Sequence, residues 1–303
     1  MRSTRAGLVA MSVGAVAAMA VTAATTVGRA DRQQPPAAAA TIVTAASVAV
    51  TPTTEVELKA APDAQEPTAS APPDEPLSEP GPPVAVDLAD VAPGVRRGIA
   101  VFDRRTGREV FAEDPDQPFP AASVIKLLIA LDALERGTAS PKAVAEMLST
   151  SNDDIANRLW RLSIPRDWSR RIGLTGLVPA PDPNKWGDTL MTAHDVIAIY
   201  HHVLDSPHAD VVVRALEAAT PFGADGIDQT FGIPDAAGEH RWAVKQGWAC
   251  CYNGLRALNT TGVVDNRYVV AVLTKQPRAA GYDEAGKGVT LLVSALTPLF
   301  TEE

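Results

Sequence analysis

Ser123 and Lys126 stand three residues apart in FPAASVIKLLIALDAL, residues 119–134, a segment that is otherwise apolar on nearly every side. On a helix, positions i and i+3 share a face, so the Lys126 amine falls within reach of the Ser123 hydroxyl. Burial disfavours the charged form of a lysine, and a neutral amine can take the proton from a serine. The pair therefore has the makings of a nucleophile and its base. The plainer alternative is that Lys126 extends its ammonium to the surface while Ser123 caps the helix. Two further sets could complete a site. Ser151, Asn152 and Asp153 lie in MLSTSNDDIANRLW, and Lys245, Gln246 and Gly247 lie in WAVKQGWACC, read as the end of an apolar strand.

The elements that must position these residues follow from the pattern of the chain. A helix hydrophobic all round belongs in the middle of a domain, which makes the segment after Ser123 a core helix. GIAVFDRRTGREVFAE alternates about the turn RRTG and predicts a β-hairpin. Helical patterns run from Ser123 to about Leu204, broken by the loop GLTGLVPAPDPNKWGDT. LNTTGVV and RYVVAVLTK flank Asp265-Asn266 as a second hairpin, and a last helix is expected from about Glu284 to Phe300. Strands, then helices, then strands and a closing helix predict an α+β domain with a largely antiparallel sheet and helices on its faces.

Composition divides the 303 residues into three parts. Arg2 and Arg5 precede an uncharged run, 6–28, so residues 1–28 are expected to be an export signal or an N-terminal membrane anchor. Residues 29–93 are rich in Pro, Ala, Thr and acids and too poor in apolar bulk to fold, which predicts a disordered linker. Its ten acidic residues against three basic ones carry most of the formal net charge of −9. The domain expected over 94–303 is then mildly acidic, without the basic stripe that nucleic acid requires. Cys250 and Cys251 lie far from the N-terminal run, so a lipidated cysteine is not expected there.

The order S-x-x-K, then S-x-N-like, then K-x-G resembles the penicillin-recognising serine enzymes, namely class A β-lactamases and D-alanyl-D-alanine peptidases. Asn157, six residues after Ser151, matches a position where that family's second motif helix carries asparagine. The resemblance spans roughly residues 95–303 and implies a β-lactamase/transpeptidase-like fold with an all-helical subdomain. It also implies an exported serine hydrolase, acylated at Ser123 by a β-lactam or a cell-wall peptide. In that scheme Lys126 is the base, Ser151 relays a proton to the leaving nitrogen, and Lys245 places positive charge near a substrate carboxylate. The backbone N–H groups of Ser123 and Trp248 form the oxyanion hole, and Gly247 lets the substrate approach the strand edge. No cofactor or metal enters the scheme, and a monomer is expected.

Four departures qualify the resemblance. Asp153 stands where the family has asparagine, and a carboxylate near Lys126 favours its charged form. Asn152 either supplies the missing amide or caps the helix. Gln246 replaces the hydroxyl residue that helps hold a substrate carboxylate. The loop LTGLVPAPDPNKWGDTLMT contains no glutamate to activate a water, and Asp182 and Asp188 there suit turn or cap roles. Deacylation is therefore expected to be slow. The span from Ser123 to Ser151 is short for a class A enzyme, which opens one cleft wall toward a peptide or polymer. Two rival readings follow: a catalytically silent domain binding a cell-wall peptide or partner protein, and a serine esterase or amidase for another substrate.

Adjacent Cys250 and Cys251 leave three options: a vicinal disulfide, two buried thiols or an intermolecular link. His201 and His202 are consecutive, and His194 has no obvious acidic partners, so no metal site is expected. Trp186, Trp242 and Trp248 are candidates for lining a cleft, with core packing the expected role of at least two.

Overall fold

The computed structural model describes residues 85–300. The expected signal or anchor, 1–28, and the linker up to residue 84 lie outside the described residues. Among the described residues, no helix is long and apolar enough to cross a membrane.

The elements run β1 (Arg96–Asp103), β2 (Arg108–Glu113), β3 (Phe119–Pro120), a 3-10 turn (Ala122–Ile125), α1 (Lys126–Glu135), α2 (Pro141–Ser149), α3 (Asp153–Leu159) and α4 (Ile164–Ile172). They continue through β4 (Leu190–Met191), α5 (Ala193–Asp205), α6 (Ala209–Glu217), α7 (Ile233–Ala236), β5 (Trp242–Tyr252), β6 (Leu255–Val264), β7 (Tyr268–Pro277) and α8 (Tyr282–Leu296). Five strands form one sheet in the order β2-β1-β7-β6-β5, antiparallel at every pairing. β3 and β4 form a separate two-stranded ladder.

The period of two along β7 sorts its side chains between two cores. Val269, Ala271 and Leu273 pack with the helices α1, α2 and α5, whereas Tyr268, Val270 and Val272 pack with α8. A sheet covered on both faces reads as a continuous apolar run, which is why YVVAVL shows no polar alternation. Leu88 and Ala92, at the end of the segment expected as linker, belong to the second core, and Arg97 Nη1 and Nη2 donate to the carbonyls of Val91 and Leu88 at 2.7 Å each.

Both expected hairpins are present. Asp265 and Asn266 have φ of 51° and 53°, left-handed at the two central positions of the β6–β7 turn, which the Arg267 N–H closes by donating to Val264 O at 2.9 Å. A second pair of this kind, Asn253 (50°) and Gly254 (76°), joins β5 to β6. Because that turn comes so late, β5 continues through Cys250 and Cys251, and Lys245-Gln246-Gly247 sit within the strand rather than at its end. The helical segment divides at capped boundaries. Ser140 accepts from the Ala143 N–H ahead of α2, and Thr192 and Asp195 form a reciprocal capping box at α5. α1 is buried on all sides from Lys126 to Leu134, and its buried acidic residue, Asp132, is forked by the Arg161 guanidinium.

Candidate active site

Ser123 does not cap α1; it lies in the 3-10 turn that precedes it. The chain enters this turn through Ala122 at φ 47°, a conformation that strains a residue bearing a Cβ by about 1–3 kcal/mol. Surrounding contacts impose it. The Ala121 N–H donates to Thr189 O at 2.7 Å, and the Val124 N–H donates to Ala121 O at 3.0 Å. Asn259 of β6, fully buried, donates through Nδ2 to Pro120 O at 2.8 Å. Ser151 is strained in the same way, with φ 53°, between α2 and α3.

These placements bring four side chains together. Lys126 Nζ lies 2.7 Å from Ser123 Oγ, 3.1 Å from Ser151 Oγ and 2.7 Å from Ser151 O. Lys245 Nζ lies 3.1 Å from the same Ser151 Oγ and donates to Gln246 O at 3.0 Å. Ser151 thus bridges the two lysines, which are 0% and 1% exposed. Burial pushes the Lys126 amine below its usual pKa, against the opposing pull of the Asp153 carboxylate. It pushes Lys245 far lower, and the neighbouring Lys126 charge adds to the effect. The alternative of a lysine extending to the surface is excluded for both.

Asp153 joins the group directly, with Oδ1 2.5 Å from Lys126 Nζ and a side chain 63% exposed. Asn152 is the N-cap of α3, its Oδ1 accepting the Ile155 N–H at 3.0 Å. Of its two expected roles, that atom performs the cap.

Strand alternation divides the third motif. Lys245 faces Ser151, and Gly247 faces the serine turn: a Cβ there would lie 2.9 Å from Ala121 O, 3.0 Å from Val124 Cγ2 and 3.3 Å from Ser123 N. Gly247 therefore admits the strand to the turn, where close approach of a substrate had been expected. Gln246 points the other way and is buried; its Nε2 donates to Gln229 O and Phe231 O. It does not reach the lysine group, contrary to its expected place beside the substrate. Trp248 follows on β5, the last strand of the sheet, with its indole Nε1 donating to Asp225 Oδ2 at 2.8 Å.

Several contributing residues gave little sign in the sequence. Thr261 donates to Lys245 O at 2.7 Å and meets the Tyr200 hydroxyl at 3.1 Å. Asn259, Thr260 and Thr261 are all fully buried in β6, and three consecutive buried polar residues in LNTTGVV mark a strand that supports something polar. Trp186, from the loop between α4 and β4, covers Lys126 with its ring centroid 4.9 Å from Nζ and donates to Asn157 Oδ1 at 2.8 Å. Asp182 takes a turn role, accepting the Asn184 N–H. Trp242 lines a cavity with Arg105, Arg241 and Tyr268, residues outside the lysine group.

Cys250 and Cys251 are joined as a vicinal disulfide and exposed, which removes the option of buried thiols. His194 does have acidic partners: Asp116 meets Nδ1 and Glu109 meets Nε2, each at 2.8 Å. They lie on opposite sides of the ring and so bracket it; burial works to lower its pKa, but the two carboxylates together outweigh burial and leave it raised. Among the described residues no cluster of His, Cys, Asp or Glu could hold a metal ion.

The fold that carries this site is found among known proteins. Residues 85–163 match the model of the beta-lactamase enzyme family. PBP-A superposes with a TM-score of 0.53 at 19% identity over 69% of this chain and 91% of its own. An ancestral class A β-lactamase superposes at 0.56, with 18% identity over 68% and 95%. In both cases the likeness is one of fold. The chain therefore has the β-lactamase/transpeptidase-like fold, an antiparallel sheet flanked by helices, as the resemblance implied.

More similar in sequence are the proteins named "Putative lipoprotein LppW" of Mycobacterium tuberculosis and Mycobacterium bovis. They are 35% identical over 206 residues, 61% of this chain. The match spans 65% of the length of those relatives.

Proposed function

We propose that the domain, residues 94–303, is a serine hydrolase of the β-lactamase and D,D-peptidase type, acylated at Ser123 by a β-lactam or a cell-wall peptide amide. One observation carries the reading. Ser123 Oγ lies 2.7 Å from a buried lysine amine whose pKa is lowered, with a second serine poised between that amine and another lysine. Lys126 in its neutral form takes the Ser123 proton as Oγ attacks the carbonyl carbon. Charge developing on the carbonyl oxygen falls to the backbone N–H groups of Ser123 and Trp248, on the turn and strand that Gly247 brings into contact. Ser151 passes a proton to the departing nitrogen as the C–N bond breaks, and is resupplied from the lysine amines on either side. Water must then release the acyl group. The loop that reaches this site places Trp186, not a carboxylate, over Lys126, so the acyl-enzyme is long-lived.

The relatives named as lipoproteins support a place at the outer face of the cell membrane. Here both cysteines lie in β5, so the N-terminal run would provide the export or the anchor. The partner is a peptide or lactam met at the envelope, not nucleic acid, and only α2 stands between α1 and the Ser151 segment, which suits an extended peptide.

A second reading has its own support. Asp153 pairs with Lys126, and Gln246 is occupied by backbone carbonyls, as befits a silent domain that binds a cell-wall peptide or a partner protein in the same cleft. Intact mass after incubation of the full chain with a penicillin, beside Ser123→Ala, separates the two. A persistent gain of one penicillin mass that needs Ser123 is expected. A folded protein that gains no mass sinks the lactam reading and favours the silent binder or another ester or amide.

A further inference from the structure

The segment from Thr220 to Gln229 links α6 to α7 and contains none of the motif residues, yet it touches both the stretch before Ser151 and β5. It is fastened to the stretch before Ser151: the Thr220 N–H donates to Ser149 O at 3.1 Å, and the Ala224 N–H to Thr150 O at 2.7 Å. Gln229 Nε2 adds a bond to Ser149 O at 2.8 Å. Its other side presses on β5, where a Cβ at Gly223 would fall 2.6 Å from Trp248 Cζ2. Asp225 is held between two donors, Trp248 Nε1 at 2.8 Å and the Ile227 N–H at 3.1 Å, while remaining exposed. The Trp248 ring that holds it is 5.9 Å from Lys245 Nζ.

We propose that Asp225, together with Asp153, makes this cleft selective for ligands that are neutral or cationic where they meet β5, and adverse to those with a free carboxylate there. The inference rests on the reading above for where a ligand lies. Holding a carboxylate requires a local excess of positive charge or free donors. Lys126 is already balanced by Asp153 at 2.5 Å. Burial favours the uncharged form of Lys245, and the negative field of Asp225 reaches both amines. Gln246, the residue next to Lys245 with donors to offer, gives its amide to Gln229 O and Phe231 O on the other face of the strand. An anionic ligand thus meets Asp225 without compensation. A peptide ending in an amide or ester, or one carrying an amine, meets an acceptor.

The test uses the full chain as Ser123→Ala, in which acylation cannot intervene, and calorimetric titration with N-acetyl-D-alanyl-D-alanine amide and the corresponding free acid. The amide is expected to bind about tenfold more tightly at low salt, a difference of about 1.4 kcal/mol. Added salt narrows the gap, since Asp225 is exposed. Adding Asp225→Asn, which keeps an oxygen for Trp248, should close it. The proposal is overturned if the acid binds as well as or better than the amide, if neither binds, or if the gap survives Asp225→Asn. Failure of the nucleophile reading looks different: no mass gain at Ser123 with the amide preference intact.

Discussion

Replacing Asp153 by asparagine tests the base directly, because it removes the one carboxylate in contact with Lys126 and keeps the size of the side chain. Two unit charges about 3 Å apart interact by about 1.4 kcal/mol in water and about 5.5 kcal/mol at an effective dielectric of 20. Asp153 is 63% exposed, so solvent screening holds the figure near the lower end, about 1.5–2.5 kcal/mol. Loss of that attraction leaves burial unopposed at Lys126 and lowers its pKa further. Over the pH range in which Lys126 is mostly charged, its uncharged fraction then rises roughly tenfold to seventyfold. Where proton transfer from Ser123 limits the reaction, acylation accelerates by a similar factor. The measurement is the initial rate of mass gain with a penicillin between pH 5 and 9. Asp153→Asn should be faster near pH 7, with its acid limb moved to lower pH, since an amine of lower pKa stays neutral further down. A slower variant, or an acid limb that stays in place, would refute the assignment of Lys126 as the base held back by Asp153.

Two further outcomes follow from the strand that closes the site. Gly247→Ala puts a methyl group 2.9 Å from Ala121 O and 3.3 Å from Ser123 N, so the strand and the serine turn must separate; acylation should fall by about a hundredfold, the scale of one lost oxyanion donor, while circular dichroism shows a folded chain, and acylation at the original rate would remove Trp248 from the oxyanion hole. Burial holds the Lys245 pKa in the folded protein well below the unfolded-chain value of about 10.4. Unfolding therefore takes up a proton, and stability rises with pH between the lowered folded value and the unfolded one. Lys245→Met should reduce the slope of urea-unfolding free energy between pH 8 and 9.5 by up to about 1.4 kcal/mol per pH unit; an unchanged slope would mean that Lys245 is charged where it is buried.

The fold was legible where local chemistry and tertiary packing agree. Asp265-Asn266 between two apolar runs specifies a hairpin, and the all-apolar helix around Lys126 can only be central. The Asn253-Gly254 turn is an equally strong signal, but it follows the unusual pair Cys250-Cys251, and the length of β5 went unread with it. In the site, residues whose role follows from spacing were legible: Ser123, Lys126, Ser151 and Lys245 converge as their motifs imply. Residues whose role depends on which way a side chain turns were not. Gln246 is one position from Lys245, and the period of two sends it to the opposite face, where it bonds to the backbone. Trp186 was a cleft candidate, but only the folded chain sets it over Lys126, and Asp225 comes from a loop of no marked pattern.

The two lysines also bear on whether the cleft is catalytic or silent. Burying an amine is unfavourable, and burying two beside one serine hydroxyl is more so, because their positive charges also oppose each other. A domain that only bound a peptide could place leucine or methionine at either position at little loss, and large apolar side chains in fact surround Lys126 on α1. What the lysines provide instead is a pair of amines able to exchange protons through Ser151 Oγ, 3.1 Å from each. Ala122 and Ser151 carry strain in the same small region, at the two backbone positions that aim Ser123 and Ser151. The desolvated lysines and the strained backbone at Ala122 and Ser151 each lower stability, and they cluster about the hydroxyls of Ser123 and Ser151. Their coincidence favours the proposed nucleophile over a surface that only binds.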